Sequence, residues 1–230
     1  MNTCKASVII PCRNEVSAIE TCLSNVSSFD APEGGYEIIV VDGMSDDGTR
    51  DIILKKAASD DRIKLLDNPH KTVPFAMNLG ITAARGEYIV RADVRCIHPK
   101  DYLTRLIALS EKTGAANVGG TLVPVGTSYF QKGIAAAYKS RISMGNALRE
   151  QSHDCIEEID TVYGGCFKRK TLIDIGLYDT AMVRNQDDEL SFRLRKKGML
   201  ILRDSSIKVL YHPRKNLMQL FKQFFQYGYW

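Results

Sequence analysis

Short apolar runs alternate with segments of helical periodicity along the first half of this chain, and each run stops at polar, turn-forming residues. The runs predict four strands, near residues 7–10, 36–41, 62–66 and 87–92. Apolar residues at helical spacing predict three helices between them, near 14–26, 46–56 and 74–84. Strands separated by single helices in this order indicate right-handed βαβ units. The predicted fold class is therefore α/β, with a mostly parallel central sheet flanked by helices.

Polar residues and glycines at the ends of these helices are typical of capping positions. Asn14 is expected to cap the first helix, Ser45 or Asp46 the second, and Gly86 to stop the third. The second half of the chain is less regular. It predicts a helix over about 100–112, a strand over 117–123 and a helix over 130–144, followed by a polar stretch at 149–158.

Composition limits the class of protein. The chain has 230 residues, 44% of them hydrophobic, so it can bury one sizeable core, although two small domains remain compatible with this length. Its formal net charge of +4, with basic residues concentrated towards the C-terminus, suits a phosphate-bearing ligand or an anionic membrane surface. This charge does not single out nucleic acid, and none is expected as a partner.

The six cysteines are scattered and contain no Cys-x-x-Cys pair, which argues against a zinc site or a disulfide framework and for a reducing compartment. Residues 1–5 lead directly into a strand, with no signal peptide. No stretch reaches the ~18–20 apolar residues of a membrane span. We therefore expect this chain to be cytoplasmic and either soluble or peripheral to a membrane.

Two of the predicted strands end in segments rich in polar groups, Pro-Cys-Arg-Asn-Glu at 11–15 and Asp-Gly-Met-Ser at 42–45. The carboxyl ends of neighbouring parallel strands line the crevice where ligands bind. These segments would present a carboxylate, an amide and backbone N–H groups to one small polar ligand. The pattern resembles the nucleotide-binding half of family 2 glycosyltransferases, which have the glycosyltransferase-A fold and use nucleotide sugars.

The resemblance implies a donor site. In the family, the aspartate that matches Asp42 hydrogen-bonds the uracil base, whereas an aspartate in this position otherwise serves as a turn or helix cap. Ser45 and its acidic neighbours are better placed to cap the next helix, which leaves Asp42 without a structural role. The segment that begins at Pro11 resembles the loop that wraps the nucleoside. From it we take Glu15 as a nucleoside contact and Arg13 as a phosphate contact.

Arg91 to Arg95 follow the fourth strand, where the family has an Asp-x-Asp motif that holds a divalent metal against the diphosphate. Here Asp93 is present, but Arg95 takes the place of the second carboxylate and cannot ligate a metal. Two interpretations stay open: Asp93 holds Mg²⁺ or Mn²⁺ with help from donor phosphates and water, or Arg95 pairs with the diphosphate in place of the metal. We favour the metal, and place Arg91, Asp93 and Arg95 in the donor site.

Three carboxylates in a row follow Gln186 at a predicted helix start, where they would also complement the helix dipole. The cluster resembles the family's Glu-Asp motif, whose aspartate deprotonates the acceptor hydroxyl. Aligned in this way, Asp187 is the general base and Asp188 lies on the acceptor side. The preceding loop matches an acceptor-side glycine-rich segment, in which Gly164 and Gly165 would permit close approach to a sugar.

The segment 213–230 predicts an amphipathic helix, with its apolar residues Leu217, Leu220, Phe221, Phe224 and Phe225 on one face. Such a stripe usually packs in a core, but basic residues on its flanks also describe a helix in a membrane interface. Its end resembles the Gln-x-x-Arg-Trp motif of processive polysaccharide synthases, which places Gln226 and Trp230 on the acceptor side. Tyr229 replaces the arginine, which weakens any claim of processivity.

The resemblance covers nearly the whole chain and is nearest to succinoglycan-type exopolysaccharide glucosyltransferases. It implies an inverting enzyme that moves a sugar from a UDP-sugar to a lipid-linked or other saccharide acceptor at the cytoplasmic face of the membrane. We expect a catalytic domain over 1–212, and a longer protein that continues beyond 230 into membrane-spanning helices. A sugar nucleotidyltransferase, or a non-catalytic carbohydrate- or partner-binding module on the same fold, are the alternatives.

Overall fold

The computed structural model describes residues 4–126, 128–139, 155–213, 217–218, 220–221, 225 and 228. Within these ranges the helices are α1 (Ile19–Ser27), α2 (Thr49–Ala57), α3 (Val73–Ala83), α4 (Tyr102–Thr113), α5 (Tyr129–Lys139), α6 (Arg169–Asp174) and α7 (Gln186–Lys196). The strands there are β1 (Ala6–Cys12), β2 (Tyr36–Asp42), β3 (Ile63–Asp67), β4 (Tyr88–Arg91), β5 (Cys96–Ile97), β6 (Asn117–Pro124), β7 (Ile156–Glu158), β8 (Cys166–Lys168) and β9 (Ile201–Tyr211).

All of these strands belong to one sheet, in the order β3-β2-β1-β4-β8-β6-β9-β5, with β7 paired to β9. β1 to β4 run parallel, with Ile9 opposite both Ile39 and Arg91. β8 is antiparallel to β4 and β6, while β6 and β9 are parallel. The strand order reverses at β1, so the ends of β1 and β4 flank the crevice where such sheets bind ligands.

The core lies on both faces of the sheet, because successive side chains of a strand point to opposite sides. On one face, Val8 and Ile10 of β1 pack in a cluster with residues of α1, α2 and α4. On the other face, Ile9 packs in a cluster with residues of α3, α6 and α7. The two layers of helices explain why β1 and β2 are apolar along almost their entire length.

The predicted α/β class is confirmed, and the sheet is parallel in its first half and mixed in its second. Two predicted caps are wrong. Asn14 adopts a positive φ of 53° and bonds Asp46 through its side chain, whereas α1 begins only at Ile19. Gly48, with a φ of 93°, precedes α2 in place of Ser45 or Asp46. In both cases a contact between the two strand-end loops takes the polar side chain away from the helix.

Gly86 does not end the third helix either, because α3 stops at Ala83 and Ala84 is already extended. The backbone N–H of Gly86 donates to Ser7 Oγ, and a Cβ atom on Gly86 would lie 2.5 Å from Ser7 N. Close approach to β1 is therefore the reason for this glycine. The strands β8 and β9 and the helix α6 were not predicted at all.

The predicted division of the chain at residue 212 stays a prediction. In the C-terminal segment, the described positions 217, 218, 220, 221, 225 and 228 are helical, and Leu217, Met218, Phe221 and Phe225 are exposed. Gln226, Tyr229 and Trp230 lie outside the described residues, as does the predicted part of the fifth helix beyond 139. Among the helices that the structure describes, none is long and apolar enough to cross a membrane.

The buried carboxylate of Glu37 connects the start of β2 to β1, to β3 and to the segment before β4. Glu37 is 2% exposed and accepts hydrogen bonds from Ser7 Oγ, Lys64 Nζ, and both the backbone N–H and the guanidinium of Arg85. Burial raises the pKa of Glu37, but the hydrogen bonds from Lys64, Arg85 and Ser7 outweigh burial and lower the pKa to about 2. The carboxylate therefore stabilises the fold only while it is ionised.

We predict that Glu37→Gln lowers the free energy of unfolding by about 3 kcal/mol at neutral pH, since each pKa unit is worth about 1.4 kcal/mol. The contribution of Glu37 is complete above the ordinary glutamate pKa and is lost as the pH falls from about 4.5 towards 2. Urea unfolding of both proteins between pH 2 and pH 7 measures the difference. Glu87→Gln, which removes a half-exposed partner of Lys5, is the matched control and should cost well under ~1 kcal/mol. Parallel pH profiles for Glu37→Gln and the wild type would contradict the prediction.

Candidate active site

A cleft of about 1020 Å³ opens at the carboxyl edge of the sheet. One wall comes from the loops after β1, β3 and β4, and the other from β6, β9 and the segment that leads into α7. The two halves of the chain therefore face each other across this space. Its position at the reversal of strand order is where an α/β sheet is expected to bind a ligand.

The end of β1 and the loop after it supply three of the predicted donor residues. Pro11, Arg13 and Glu15 all line the cleft, as the sequence predicts. The Arg13 side chain lies across Gly43, where a Cβ atom would be 3.1 Å from Arg13 Cβ. Arg13 has no ion-pair partner among the described residues. Its guanidinium is therefore available to an anionic ligand.

Asp42 lies beneath this wall and has a structural role that the sequence analysis did not foresee. It is 0% exposed, and its carboxylate accepts hydrogen bonds from Ser45 N at 3.1 Å and Ser45 Oγ at 2.5 Å. Arg50 Nη1 lies 3.4 Å from the same carboxylate. The expectation that Asp42 is structurally idle is wrong, because it forms the turn after β2. Contact with a nucleoside base stays a prediction.

The loop between β3 and α3 adds residues that the sequence analysis missed. Asn68, Lys71 and Thr72 line the cleft, and Lys71 has no ion-pair partner in the described part of the chain. Asn68 is 1% exposed, and its Oδ1 and the Oγ1 of Thr72 are buried without a hydrogen-bond partner in the structure. This loop follows the third predicted strand, so the same strand-end rule that selected Asp42 could have found it.

Arg91, the last residue of β4, joins the two sides of the cleft. Its Nε lies 2.9 Å from Asp93 Oδ1, and its Nη1 lies 2.7 Å from both carboxylate oxygens of Asp187. The residue is 7% exposed. Burial lowers the pKa of Arg91, but Asp187 and Asp93 outweigh burial and hold the pKa well above its ordinary value. The guanidinium therefore remains charged between two carboxylates, and the predicted contact of Arg91 with the donor stays untested.

Arg95 makes a second ion pair at the same edge. Its Nη2 lies 2.8 Å from Glu15 Oε2, and its Nε donates to Glu15 Oε1 at 3.1 Å. Both residues line the cleft. The arginine that replaces the second carboxylate of the Asp-x-Asp motif is thus held by a carboxylate from the loop after β1.

A divalent metal would have one carboxylate ligand here. The described residues contain no group of three or more His, Cys, Asp or Glu side chains that could hold a metal ion. Asp93 nevertheless keeps 30% of its side chain exposed at the cleft, and Arg91 leaves lone pairs of its carboxylate open. Mg²⁺ typically takes one or two protein carboxylates and completes its shell with substrate phosphates and water. Asp93 therefore fits a metal that arrives with a diphosphate.

The three adjacent carboxylates at the start of α7 have different surroundings. Asp187 faces Arg91, Asp188 is exposed at the cleft, and Glu189 accepts two hydrogen bonds from Arg193 one turn further on. Partial burial raises the pKa of the Asp187 carboxyl; Arg91 opposes this shift, and Asp93 reinforces it. Of the three carboxylates, Asp187 is the one whose orientation is set by a residue of the sheet.

Gly164 and Gly165 lie behind the cleft and do not line it in this structure. A Cβ atom on Gly165 would lie 2.2 Å from Asn117 Oδ1, and one on Gly164 would lie 3.2 Å from the backbone oxygen of Arg91. Both residues have positive φ angles, of 65° and 85°. The space that these glycines leave is filled by Arg91 of β4 and Asn117 of β6, and their contact with a sugar stays a prediction.

The remaining wall belongs to strands of the second half and the loops beside them. Its lining includes Leu122, Thr161, Tyr163, Arg203 and Tyr211. None of these residues was predicted to line the site, because β9 was not predicted and only the glycines of the loop before β8 were assigned a role.

Comparison with known proteins identifies the family. Residues 7–176, about three quarters of the chain, match the family described as Glycosyl transferase family 2. The chain belongs to this family. Its assignment as a glycosyltransferase confirms the predicted enzyme class and sets aside the nucleotidyltransferase and the non-catalytic module.

Two relatives match almost the whole chain. The succinoglycan biosynthesis protein ExoA of Rhizobium meliloti (strain 1021) is 33% identical over 232 residues, which cover 96% of this chain and 67% of the relative. A dolichyl N-acetyl-alpha-D-glucosaminyl phosphate 3-beta-D-2,3-diacetamido-2,3-dideoxy-beta-D-glucuronosyltransferase of Methanococcus voltae is 28% identical over 230 residues, covering 96% of this chain and 71% of the relative. The resemblance to succinoglycan-type enzymes is thereby confirmed.

Two solved structures share the fold. The mannosyltransferase PcManGT of Pyrobaculum calidifontis, in complex with GDP-Man and Mn²⁺, matches with a TM-score of 0.72 at 20% identity, over 95% of this chain and 59% of that one. Staphylococcus aureus TarS, in complex with UDP-GlcNAc, matches with a TM-score of 0.70 at 16% identity, over 93% of this chain and 60% of that one. The fold is the predicted glycosyltransferase-A fold.

Proposed function

We propose that this glycosyltransferase is an inverting enzyme that transfers a sugar from a UDP-sugar to a saccharide acceptor carried on a lipid. The observation that carries the proposal is the position of Asp187, which lines the cleft on the wall opposite the donor loops and is oriented by Arg91. An inverting displacement needs a carboxylate on the acceptor side of the anomeric carbon.

The choice of donor rests on the cations of the first-half wall and on the neighbours. Arg13 and Lys71 reach the cleft without ion-pair partners among the described residues, so they can neutralise a diphosphate. The fold neighbour TarS is in complex with UDP-GlcNAc, and PcManGT with GDP-Man. We place the nucleoside against Pro11, Glu15 and Asn68, with Asp42 below it.

The chemistry then follows from the two walls. Asp187 accepts the proton of the acceptor hydroxyl as the hydroxyl oxygen bonds to the anomeric carbon of the donor. The bond from that carbon to the diphosphate oxygen breaks on the opposite face, and the nucleoside diphosphate leaves with both electrons. Arg13 and Lys71 stabilise the charge that develops on the departing group. We assign Asp188 and Tyr163, which both line the cleft, to its acceptor end.

A Mg²⁺ or Mn²⁺ ion bound by Asp93 belongs to the proposal. When bound, it would neutralise the diphosphate and so assist its departure. Support comes from the exposed carboxylate of Asp93 and from the Mn²⁺ in the PcManGT complex. The alternative is that Arg95 takes the place of the metal by pairing with a phosphate oxygen, in exchange for Glu15.

The acceptor and the location are inferred from relatives and surface chemistry. One relative acts, by its name, on a dolichyl-linked sugar phosphate, and another belongs to succinoglycan biosynthesis. Exposed apolar residues at 217, 218, 221 and 225 suit a helix that lies in a membrane interface. We therefore propose polysaccharide assembly at the cytoplasmic face of the membrane, with a lipid-linked acceptor and no nucleic acid.

Asp187→Asn should lower kcat by about 10²–10⁴-fold, because positioned proton transfer typically contributes that factor. UDP affinity should stay nearly unchanged. Single-turnover transfer from UDP-sugars to lipid-linked acceptors, with calorimetric titration of UDP, measures both quantities. Asp188→Asn should cause a smaller loss, and Glu189→Gln, whose carboxylate is held by Arg193, is the control on the same helix turn. If Asp188→Asn gives the larger loss, Asp188 is the base; if neither slows transfer, the cluster only caps the helix.

Asp42→Asn should weaken UDP binding by about tenfold, because the nucleoside loses a charged acceptor. Asparagine keeps the size of the side chain and an oxygen that can accept from Ser45, so the turn should persist. Asp67→Asn is the matched control, because Asp67 ends the next strand, shares Arg50 with Asp42 and has no proposed contact with the nucleoside. Equal UDP affinities of the wild type and Asp42→Asn would remove Asp42 from the donor site.

Asp93→Asn should abolish the part of donor affinity that depends on Mg²⁺ or Mn²⁺, because it removes the carboxylate available to the ion. Titration of UDP in excess metal and in EDTA separates this part from the rest. Asp101→Asn, at the start of α4 and outside the cleft, controls for loss of surface charge. Equal affinity of the wild type in metal and in EDTA would reject the metal site and leave Arg95 as the phosphate partner.

A further inference from the structure

Arg91 is a cation of the cleft that is buried and paired with two carboxylates. It ends β4, and its guanidinium contacts Asp187, which lies 96 positions later at the start of α7. Its guanidinium contacts carboxylates on two edges, with Nε and Nη2 directed to Asp93 at 2.9 and 3.3 Å and Nη1 directed to Asp187. The backbone N–H of Arg91 also donates to Gly165 O at 3.2 Å.

These contacts argue against a phosphate ligand. A cation that binds the donor should present free N–H groups to the cleft, as Arg13 and Lys71 do. Arg91 is instead 7% exposed, and each of its three guanidinium nitrogens has a carboxylate partner. To reach a phosphate, Arg91 would have to give up its contact with Asp93 or Asp187, so a donor contact would replace an existing ion pair and not add a new one.

We infer that Arg91 is a positioning residue for the general base. Asp93 anchors one edge of the guanidinium, and the guanidinium holds the Asp187 carboxylate in one orientation at the cleft. This inference rests on the proposed function, in which Asp187 accepts the proton of the acceptor hydroxyl.

The physical effect is restriction of a short side chain at a helix start. Asn185, just before α7, has a φ of 56°, so the chain turns sharply before Asp187. Without a partner, the carboxylate would rotate among its rotamers and seldom point at the acceptor oxygen. Misplacement of a catalytic group by about 1 Å can cost ~10²-fold in rate. Lysine keeps the charge but not the planar fork, so it cannot hold both carboxylates in the same geometry.

Arg91→Lys therefore separates the two roles. If Arg91 is a positioning residue, Arg91→Lys should lower kcat about 10–100-fold. Its donor KM should stay within about threefold of the wild type, and its affinity for UDP should be unchanged. The double variant Arg91→Lys, Asp187→Asn should be no slower than Asp187→Asn alone, because the positioned group is already absent. Steady-state kinetics with a UDP-sugar and a lipid-linked acceptor, and calorimetric titration of UDP, give these values.

Arg62→Lys is the matched control. Arg62 makes a comparable two-point contact with Asp60, at 2.9 and 2.8 Å, and does not line the cleft. Its kcat and donor KM should stay within about twofold of the wild type. Urea unfolding midpoints show whether each variant is folded. Arg91→Gln is the second variant, because it leaves no unpaired cation, while Asp93 and Asp187 remain hydrated at the cleft.

The outcomes distinguish the inference from the proposed function. A raised donor KM or weaker UDP binding with unchanged kcat would overturn the inference and make Arg91 a donor ligand. Losses that multiply in the double variant would also overturn it, because Arg91 would then act independently of Asp187. If Asp187→Asn alone keeps full turnover, the base assignment itself fails, whatever Arg91→Lys does.

Discussion

The cleft depends on one buried cation. An arginine taken out of water is stable only when its charge is paired and its N–H groups are satisfied. For Arg91 the two partners come from different parts of the chain, Asp93 from the turn after β4 and Asp187 from the start of α7. Since neither part can supply both carboxylates, the parallel half of the sheet and the helix of the second half must be in place together. The two walls of the cleft are thereby coupled to the completed fold.

The donor wall could be predicted because its structure is local. β1 to β4 alternate with helices along the chain, and the strand-end rule places Arg13, Glu15 and Asp93 at one edge without knowledge of any distant contact. The acceptor wall depends on pairing between distant segments. β8 inserts beside β4 in the antiparallel sense, and β9 buries Arg203 and Ser205 along a strand that therefore lacks a clear apolar pattern. Such strands are visible only from their neighbours.

Individual roles were harder to predict than positions. Three adjacent carboxylates at a helix start are chemically equivalent in the sequence, and contacts to Arg91 and Arg193 distinguish Asp187 from Glu189. Arg91 was predicted to contact the donor because its positive charge is visible in the sequence, whereas its carboxylate partners are visible only in the structure. Asn14 illustrates the same limit, because its amide bonds Asp46 across 32 positions and so does not cap the adjacent helix.

Pairing among the charged residues of the cleft decides which of them meet a ligand first. Glu15 compensates Arg95, and Asp93 and Asp187 share Arg91, so these charges are satisfied within the protein. Arg13 and Lys71 carry charge without such partners in the described part of the chain. An incoming diphosphate therefore meets these two cations before it disturbs any existing pair. In the proposed mechanism, Arg95 can then exchange its carboxylate for a phosphate oxygen, whereas Arg91 cannot do so without releasing Asp187, the proposed base. In the proposed mechanism, the two arginines of the Arg-x-Asp-x-Arg turn thus differ in function because their carboxylate partners differ: Asp187 must stay oriented towards the acceptor hydroxyl, whereas Glu15 takes no part in proton transfer.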